Sequence, residues 1–288
     1  MEQIVANLKD LLTKSVEKMC DAPVGIIFSA GVDSTTIALL ASKFTDVATY
    51  TVGIEDSADV EHVREAEDYL KDHSIKVRII EVDEDILAGD LDKIISSVGK
   101  VAEINSLQVS VGIPFHFASK KASEDGLNVM LCGQGADEVF GGYDRYLGYI
   151  MDGGYDELKR NMDRDVDNAF EDNGYRDQEV CRANGIELRW PYLDDRLLDY
   201  AKEIPPELKV YEVKNEKEEF SCVDEIDDRK FIRKYILRSA AEEIGVPGFI
   251  INRKKKAAQY GSGSQKLLKR VARGNGFKYV NDFLKTLI

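Results

Sequence analysis

Apolar residues recur along this chain at two spacings. From Ile4 to Met19 they stand at Ile4, Val5, Leu8, Leu11, Leu12, Val16 and Met19, the repeat of a helix with one buried stripe. Four later stretches are nearly continuous apolar runs: Val24–Phe28, Val47–Gly53, Val77–Val82 and Val129–Cys132. The first, an unbroken run, reads as a buried strand of a parallel sheet, and the other three as further strands. Helical spacing returns over Ser34–Phe44, Val60–Lys71, Glu84–Ser97, Pro114–Glu124 and Glu138–Tyr149. Strands alternating with helices predict an α/β fold built on a doubly wound parallel sheet. Ligands of such sheets bind at the carboxyl ends of the strands.

After Tyr149 the strand signal fades, and helical spacing covers Tyr155–Phe170, Leu193–Glu203, Lys230–Ile244, Gln265–Ala272 and Val280–Leu287. Val210–Asp228 is rich in Glu, Asp and Lys and only weakly periodic, so it reads as an exposed loop or a mobile cover. The pattern divides the chain into a packing helix over residues 1–22, an α/β core over 23–150 and a helical C-terminal extension over 151–288. No internal repeat interrupts it.

Composition narrows the function. Of the 288 residues, 43% are hydrophobic, enough for a real core, and the net charge is −14. Nucleic-acid binding wants a basic excess, so no nucleic-acid partner is expected. Cys20, Cys132, Cys181 and Cys222 form no C-x-x-C pair, which argues for reduced thiols rather than a zinc ribbon or a disulfide scaffold. No apolar run approaches ~20 residues, so no membrane span is expected. The start is amphipathic rather than signal-like, and a cytoplasmic location follows as an expectation.

The first candidate chemistry is Ser29-Ala30-Gly31-Val32-Asp33-Ser34, between a buried strand and a helix. Backbone N–H groups converge in such a turn, and the helix dipole favours an anion there. Gly31 permits close approach, and Ser29 and Ser34 supply hydroxyls. Asp33 would repel phosphates unless a cation intervenes, which points to Mg²⁺; the alternative is that Asp33 or Ser34 merely caps the helix. A second strand enters a glycine turn at Leu131-Cys132-Gly133-Gln134-Gly135-Ala136-Asp137-Glu138 and continues to Gly141-Gly142-Tyr143. Asp137 could share the metal with Asp33, or Asp137 and Glu138 could simply offset the helix dipole.

Ser29–Ser34 resembles the pyrophosphate loop, Ser-Gly-Gly-x-Asp-Ser, of the N-type ATP pyrophosphatases, an adenine nucleotide alpha hydrolase-like family. Gly133–Tyr143 resembles a block of the asparagine synthetase synthetase domain, Ser-Gly-Glu-Gly-Ala-Asp-Glu-x-Phe-Gly-Gly-Tyr. Gly185–Asp194, Lys234–Arg238 and Arg253–Lys255 are similar to that domain's later motifs. The resemblance covers residues 20 to 265. It implies that ATP adenylates a carboxylate, that pyrophosphate leaves, and that an amine then displaces AMP. Ser29, Gly31, Asp33 and Ser34 would hold the pyrophosphate portion of ATP, and Asp33 and Asp137 would bind Mg²⁺. Lys234 and Lys255 would neutralise the departing pyrophosphate. Val52 would lie near adenine, Gly133 would approach the nucleotide through its backbone, and Tyr143 and Glu187 would lie near the acyl-transfer centre. The run Arg253-Lys254-Lys255-Lys256 supplies focused positive charge in an acidic chain.

Three departures bear on the substrate. Ala30 replaces a glycine, costly if its φ is positive. Gln134 replaces a glutamate; it can orient an amine by hydrogen bonding but cannot take its proton. Ser106–Ser110 lacks the arginine that the resemblance leads one to expect before Pro114, which weakens the case for aspartate. The chain opens Met1-Glu2, without the Cys and glutaminase domain of glutamine-dependent members. The expected partners are therefore ATP, a small carboxylate, and ammonia, a separate glutaminase subunit or another amine. The oligomeric state stays open, a homodimer included. The leading expectation is an AMP-forming amide synthetase with aspartate as default acid. Its competitors are an amide or lactam synthetase for another acid and a nucleotide-binding regulatory or scaffold subunit without turnover. Thiolation of tRNA would want catalytic cysteines and a basic surface.

Overall fold

A computed structural model describes residues 1–214, 220–254 and 258–288, except the side chain of Asp172. The N-terminal helix α1 (Glu2–Lys18) leads into β1 (Val24–Ile27), α2 (Val32–Ala41), β2 (Val47–Gly53), α3 (Ala58–Asp72), β3 (Lys76–Glu81), α4 (Glu84–Gly99), α5 (Ser106–Glu124) and β4 (Val129–Leu131). Then come α6 (Ala136–Phe140), α7 (Arg145–Asp167), α8 (Tyr175–Arg182) and β5 (Glu187–Arg189). The five strands form one parallel sheet in the order β3-β2-β1-β4-β5. This is the doubly wound α/β arrangement the sequence predicts. The order reverses between β1 and β4, so the crevice outside their carboxyl ends is the expected ligand position.

Burial explains the readable part of the pattern. All seven residues of β2 are buried, as a central strand covered on both faces must be. One face carries Leu8, Leu12, Ile37 and Leu40 from α1 and α2; the other carries Leu91, Ile94, Ile113 and Phe117 from α4 and α5. Asp83 and Asn105 fix the starts of α4 and α5 by accepting hydrogen bonds from Ile86 N, and from Leu107 N and Gln108 N.

Five expectations are corrected. Helix α5 begins at Ser106, not Pro114. Pro114 lacks an N–H, which would leave the Ser110 carbonyl without its helical donor. The Ser264 hydroxyl supplies one at 2.6 Å. The helix expected over Glu138–Tyr149 stops after Phe140, because Gly141 turns the chain at φ 78°. Helix α7 runs through the expected gap before Tyr155 but breaks at Gly153-Gly154. Strands also persist after Tyr149. Besides β5, the segments β6 (Val210–Glu212), β7 (Asp224–Ile226) and β8 (Arg229–Arg233) form an antiparallel sheet in the order β6-β8-β7. β6 and β7 occupy the two ends of the expected loop Val210–Asp228, whose residues 215–219 lie outside the described residues. The helix expected over Lys230–Ile244 is thus β8, then Lys234, then a helix over Tyr235–Ile244.

Candidate functional site

The turns after β1 and β4 meet at the switch point. In the first, Phe28 N donates to Tyr50 O, Ala30 takes φ 52°, and Gly31 is the extended N-cap of α2. Ala30 therefore carries the left-handed strain that a glycine would avoid, of order 1–2 kcal/mol. Ser34 Oγ accepts from Ser29 N and donates to Gly31 O, both at 3.4 Å, which closes the turn. In the second, a methyl on Gly133 would come within 3.0 Å of Asp33 Cβ and 3.4 Å of Ser34 N. The glycine at 133 is thus what lets the two turns touch.

That contact brings Asp33 and Asp137 together across more than a hundred residues of chain. Lys234, 2% exposed, places its Nζ 2.6 Å from Asp33 Oδ2 and 2.7 Å from Asp137 Oδ1. Lys234 sits at φ 58° between β8 and the following helix. Gly142 completes the packing: a methyl there would lie 1.8 Å from Asp137 Oδ1 and 2.2 Å from Lys234 Cε. Arg233 donates to Gly142 O and Asp224 Oδ2, both at 2.7 Å. Arg253 bonds the Ser29 carbonyl and, at 2.6 Å, Asp59 Oδ1.

A cleft of about 740 Å³ opens over these turns. Ser29, Asp33, Ser34, Val52, Gly133, Gln134, Asp137 and Tyr143 line it. Gly31 caps α2 just behind the wall, and Lys234 reaches the wall through its two aspartates. Lys255 lies outside the described residues. Glu187 is a correction: it pairs with Val129 at the amino end of the sheet, is exposed, and binds Arg189, which also binds Asp21. Strand register separates it from the cleft.

Several groups in the site were not singled out from the sequence. Arg176, buried and lining the cleft, donates to Asp177 Oδ1 at 2.8 Å and to Gln108 Oε1 at 2.7 Å. It stands beside the segment noted for lacking an arginine, but arrives from α8. Burial pushes the Asp177 carboxyl up to about 6 despite Arg176. Glu138, 4% exposed, accepts from the Tyr143 hydroxyl at 2.6 Å. Burial, then Glu138 and Asp137, push the Tyr143 hydroxyl far above its ordinary pKa. Arg145 lies over the Tyr143 ring at 4.0 Å. The motif Asp137-Glu138 was visible in the sequence, yet only the fold shows that Glu138 turns inward.

The donor set fits a magnesium ion. Asp33 Oδ1 is buried and has no hydrogen-bond partner among the described residues, and Asp137 faces the same cleft. No group of three or more His, Cys, Asp or Glu side chains able to hold a metal occurs among the described residues. Two carboxylates with room for phosphates and water suit Mg²⁺, which rarely uses an all-protein cage. No helix among the described residues is long and apolar enough to cross a membrane.

The asparagine synthase family model matches residues 7–151 and 148–275. A Methanocaldococcus jannaschii protein provisionally named asparagine synthetase 1, glutamine-hydrolysing, is 40% identical over 99% of this chain and 54% of its own length. The human glutamine-hydrolysing asparagine synthetase is 27% identical over 82% of this chain and 42% of its own. The Lotus japonicus enzyme of the same name, number 2, is 25% identical over 89% and 42%. The chain spans about half the length of these curated relatives. Among solved structures, the U34-tRNA thiolase NcsA of Methanococcus maripaludis has a TM-score of 0.41 and 13% identity over 99% of this chain and 79% of that one. At that level the likeness carries no argument.

Proposed function

Because this chain belongs to the asparagine synthase family, we propose that it joins a carboxylate to an amine with ATP, releasing AMP and pyrophosphate. Aspartate is the leading acid and ammonia the leading amine, free or delivered by a glutaminase. The observation that carries this reading is the meeting of two strand-end turns with Asp33, Asp137 and Lys234 interlocked at the floor of one cleft.

The turn Ser29–Ser34 and the N-terminus of α2 would receive the phosphates, where backbone N–H groups favour an anion. Asp33 and Asp137 would hold Mg²⁺, which draws charge off the phosphates when bound. Lys234 and Lys255 would face the pyrophosphate as it departs, and Val52 would wall the adenine. Such reactions depend mainly on positioning and charge stabilisation. Arg176, held by Asp177 and Gln108, adds a cation to the cleft wall, which favours an acid that carries a second negative charge. Gln134, neutral in the cleft wall, favours a second reading in which the acid or amine differs from aspartate and ammonia.

The test mixes protein, MgATP and ammonia with a panel of acids, aspartate and glutamate among them. AMP and pyrophosphate are expected, together with an amide. ADP as sole nucleotide product, or no turnover with any acid, refutes the proposal.

A further inference from the structure

The turn Ser29–Ser34 contains a peptide whose orientation is unfavourable on its own. Ala30 stands at φ 52°, where an alanine is strained and a glycine is not. Rotating the peptide between Ser29 and Ala30 by half a turn would carry that φ to about −130°, an ordinary extended value. A contact must hold the peptide against that rotation, and Arg253 makes it. Its guanidinium donates to the Ser29 carbonyl and, at 2.6 Å, to Asp59 Oδ1 on α3. Arg253 is fixed from behind in turn. Arg238, 3% exposed, donates to the carbonyls of Arg233, Ile251 and Arg253. Arg233 donates to Gly142 O. Three arginines thus run as a ladder from the Gly142 turn to the Ser29 turn, each ending on a backbone carbonyl.

We infer that Arg253 is a positioning residue for ATP: it holds the Ser29–Ala30 peptide in the strained orientation that turns its N–H toward the phosphates. This rests on the amide-forming reading above, which puts the phosphates at that turn. The peptide is trans, so its C=O and N–H point to opposite sides. Arg253 takes the carbonyl on one side. The Ala30 N–H therefore turns to the other, next to the extended Gly31 that caps α2. Neighbouring N–H groups in such a turn form a concavity suited to an anion. The flipped peptide would present the Ser29 carbonyl there instead and repel the phosphates. Ser29 lines the cleft, and Arg253 is not among the described residues that do. The guanidinium thus acts through the peptide rather than on the ligand. A glycine at position 30, as in the loop this turn resembles, needs no such hold; the alanine makes Arg253 necessary.

The strain at Ala30 sets the size of the effect. Without Arg253 it favours the flipped peptide by about 5–30-fold, and the apparent affinity for MgATP falls by that factor. Titration calorimetry with MgATP reads it: Arg253→Met should raise Kd about 5–30-fold. Loss of a positive charge alone could weaken binding too, so the deciding protein is the double variant Ala30→Gly/Arg253→Met. Glycine has little preference between the two orientations, and Kd should return to within about threefold of Ala30→Gly alone. Arg253→Lys keeps the charge but not the fork that spans Asp59 and the Ser29 carbonyl. It should show the same loss and the same recovery, and it carries the test if the methionine variant does not fold. Undiminished affinity in the Arg253 variant, or a loss that Ala30→Gly leaves untouched, overturns the inference while the amide-forming reading stands. If the unaltered protein binds no MgATP, that reading fails first and the inference falls with it.

Discussion

Lys234→Met removes the ammonium between Asp33 and Asp137 while keeping most of the buried stem. The two facing carboxylate oxygens lie 2.6 and 2.7 Å from Nζ, so they are no more than about 5.3 Å apart. Two unit charges at that separation repel by about 3 kcal/mol at an effective dielectric of about 20. Loss of one partner of a buried ion pair costs about 3–5 kcal/mol by mutational experience. Side-chain exposures of 18% and 13% for the aspartates favour the lower end. At about 2.1 cal/mol/K per residue over 288 residues, a loss of about 3 kcal/mol lowers Tm by about 5 °C.

Thermal unfolding followed by circular dichroism at pH 7 reads this directly. Magnesium should stabilise the variant more than the unaltered protein, since a divalent cation can replace the ammonium between the carboxylates. A variant within 1 °C of the unaltered protein would refute the reasoning. So would an equal loss on introducing Lys234→Met into an Asp33→Asn/Asp137→Asn background, where no repulsion remains.

Three further outcomes follow from the geometry. Gly142→Ala drives a methyl into Asp137 and Lys234; it should cost about 1–3 kcal/mol and depress pyrophosphate release, both measurable on purified protein. Glu187→Gln should leave amide synthesis within about twofold, since Glu187 sits at the amino end of β5; a tenfold loss in kcat/KM would return it to the site. Asp90 gives a pH effect. Burial would raise its carboxyl, but Lys120 and Lys93 bring it down from 3.8 to about 2. Its contribution is therefore present above pH 3.8 and lost as pH falls through about 2. Asp90→Asn should lower stability at pH 6 and flatten the acid limb of the unfolding curve.

Sequence patterning revealed what burial enforces. β1, β2 and β4 read as strands because both faces are covered, and the two turns read as anion sites because each follows such a strand. β8 misread for a definite reason: Phe231 with Tyr235, and Ile232 with Ile236, are spaced by four residues and mimic a helical stripe. In fact Phe231 and Ile232 are buried at the end of β8 and Tyr235 and Ile236 begin the next helix. β5 was invisible because Glu187-Leu188-Arg189 is three residues with two charges. Motif matching placed Glu187 at the chemistry, whereas register placed it at the opposite end of the sheet. Arg176 reaches Gln108 from 68 positions away, and no local pattern encodes that meeting.

Lys234 shows why such a site is hard to read from local preference. A non-glycine residue at φ 58° costs of order 1–2 kcal/mol, and glycine would remove that cost. Glycine would also remove the ammonium and leave two carboxylates facing one another, at about 3 kcal/mol by the Coulomb argument. The second term exceeds the first, so lysine is favoured despite its strain. The balance holds only because the strand order puts β1 beside β4, which brings Asp33 within reach of Asp137. Sheet topology thus decides the residue at a position far from either strand in sequence. The strain at Lys234 is a consequence of the charge arrangement, and neutralising both aspartates should reverse the preference between lysine and glycine there.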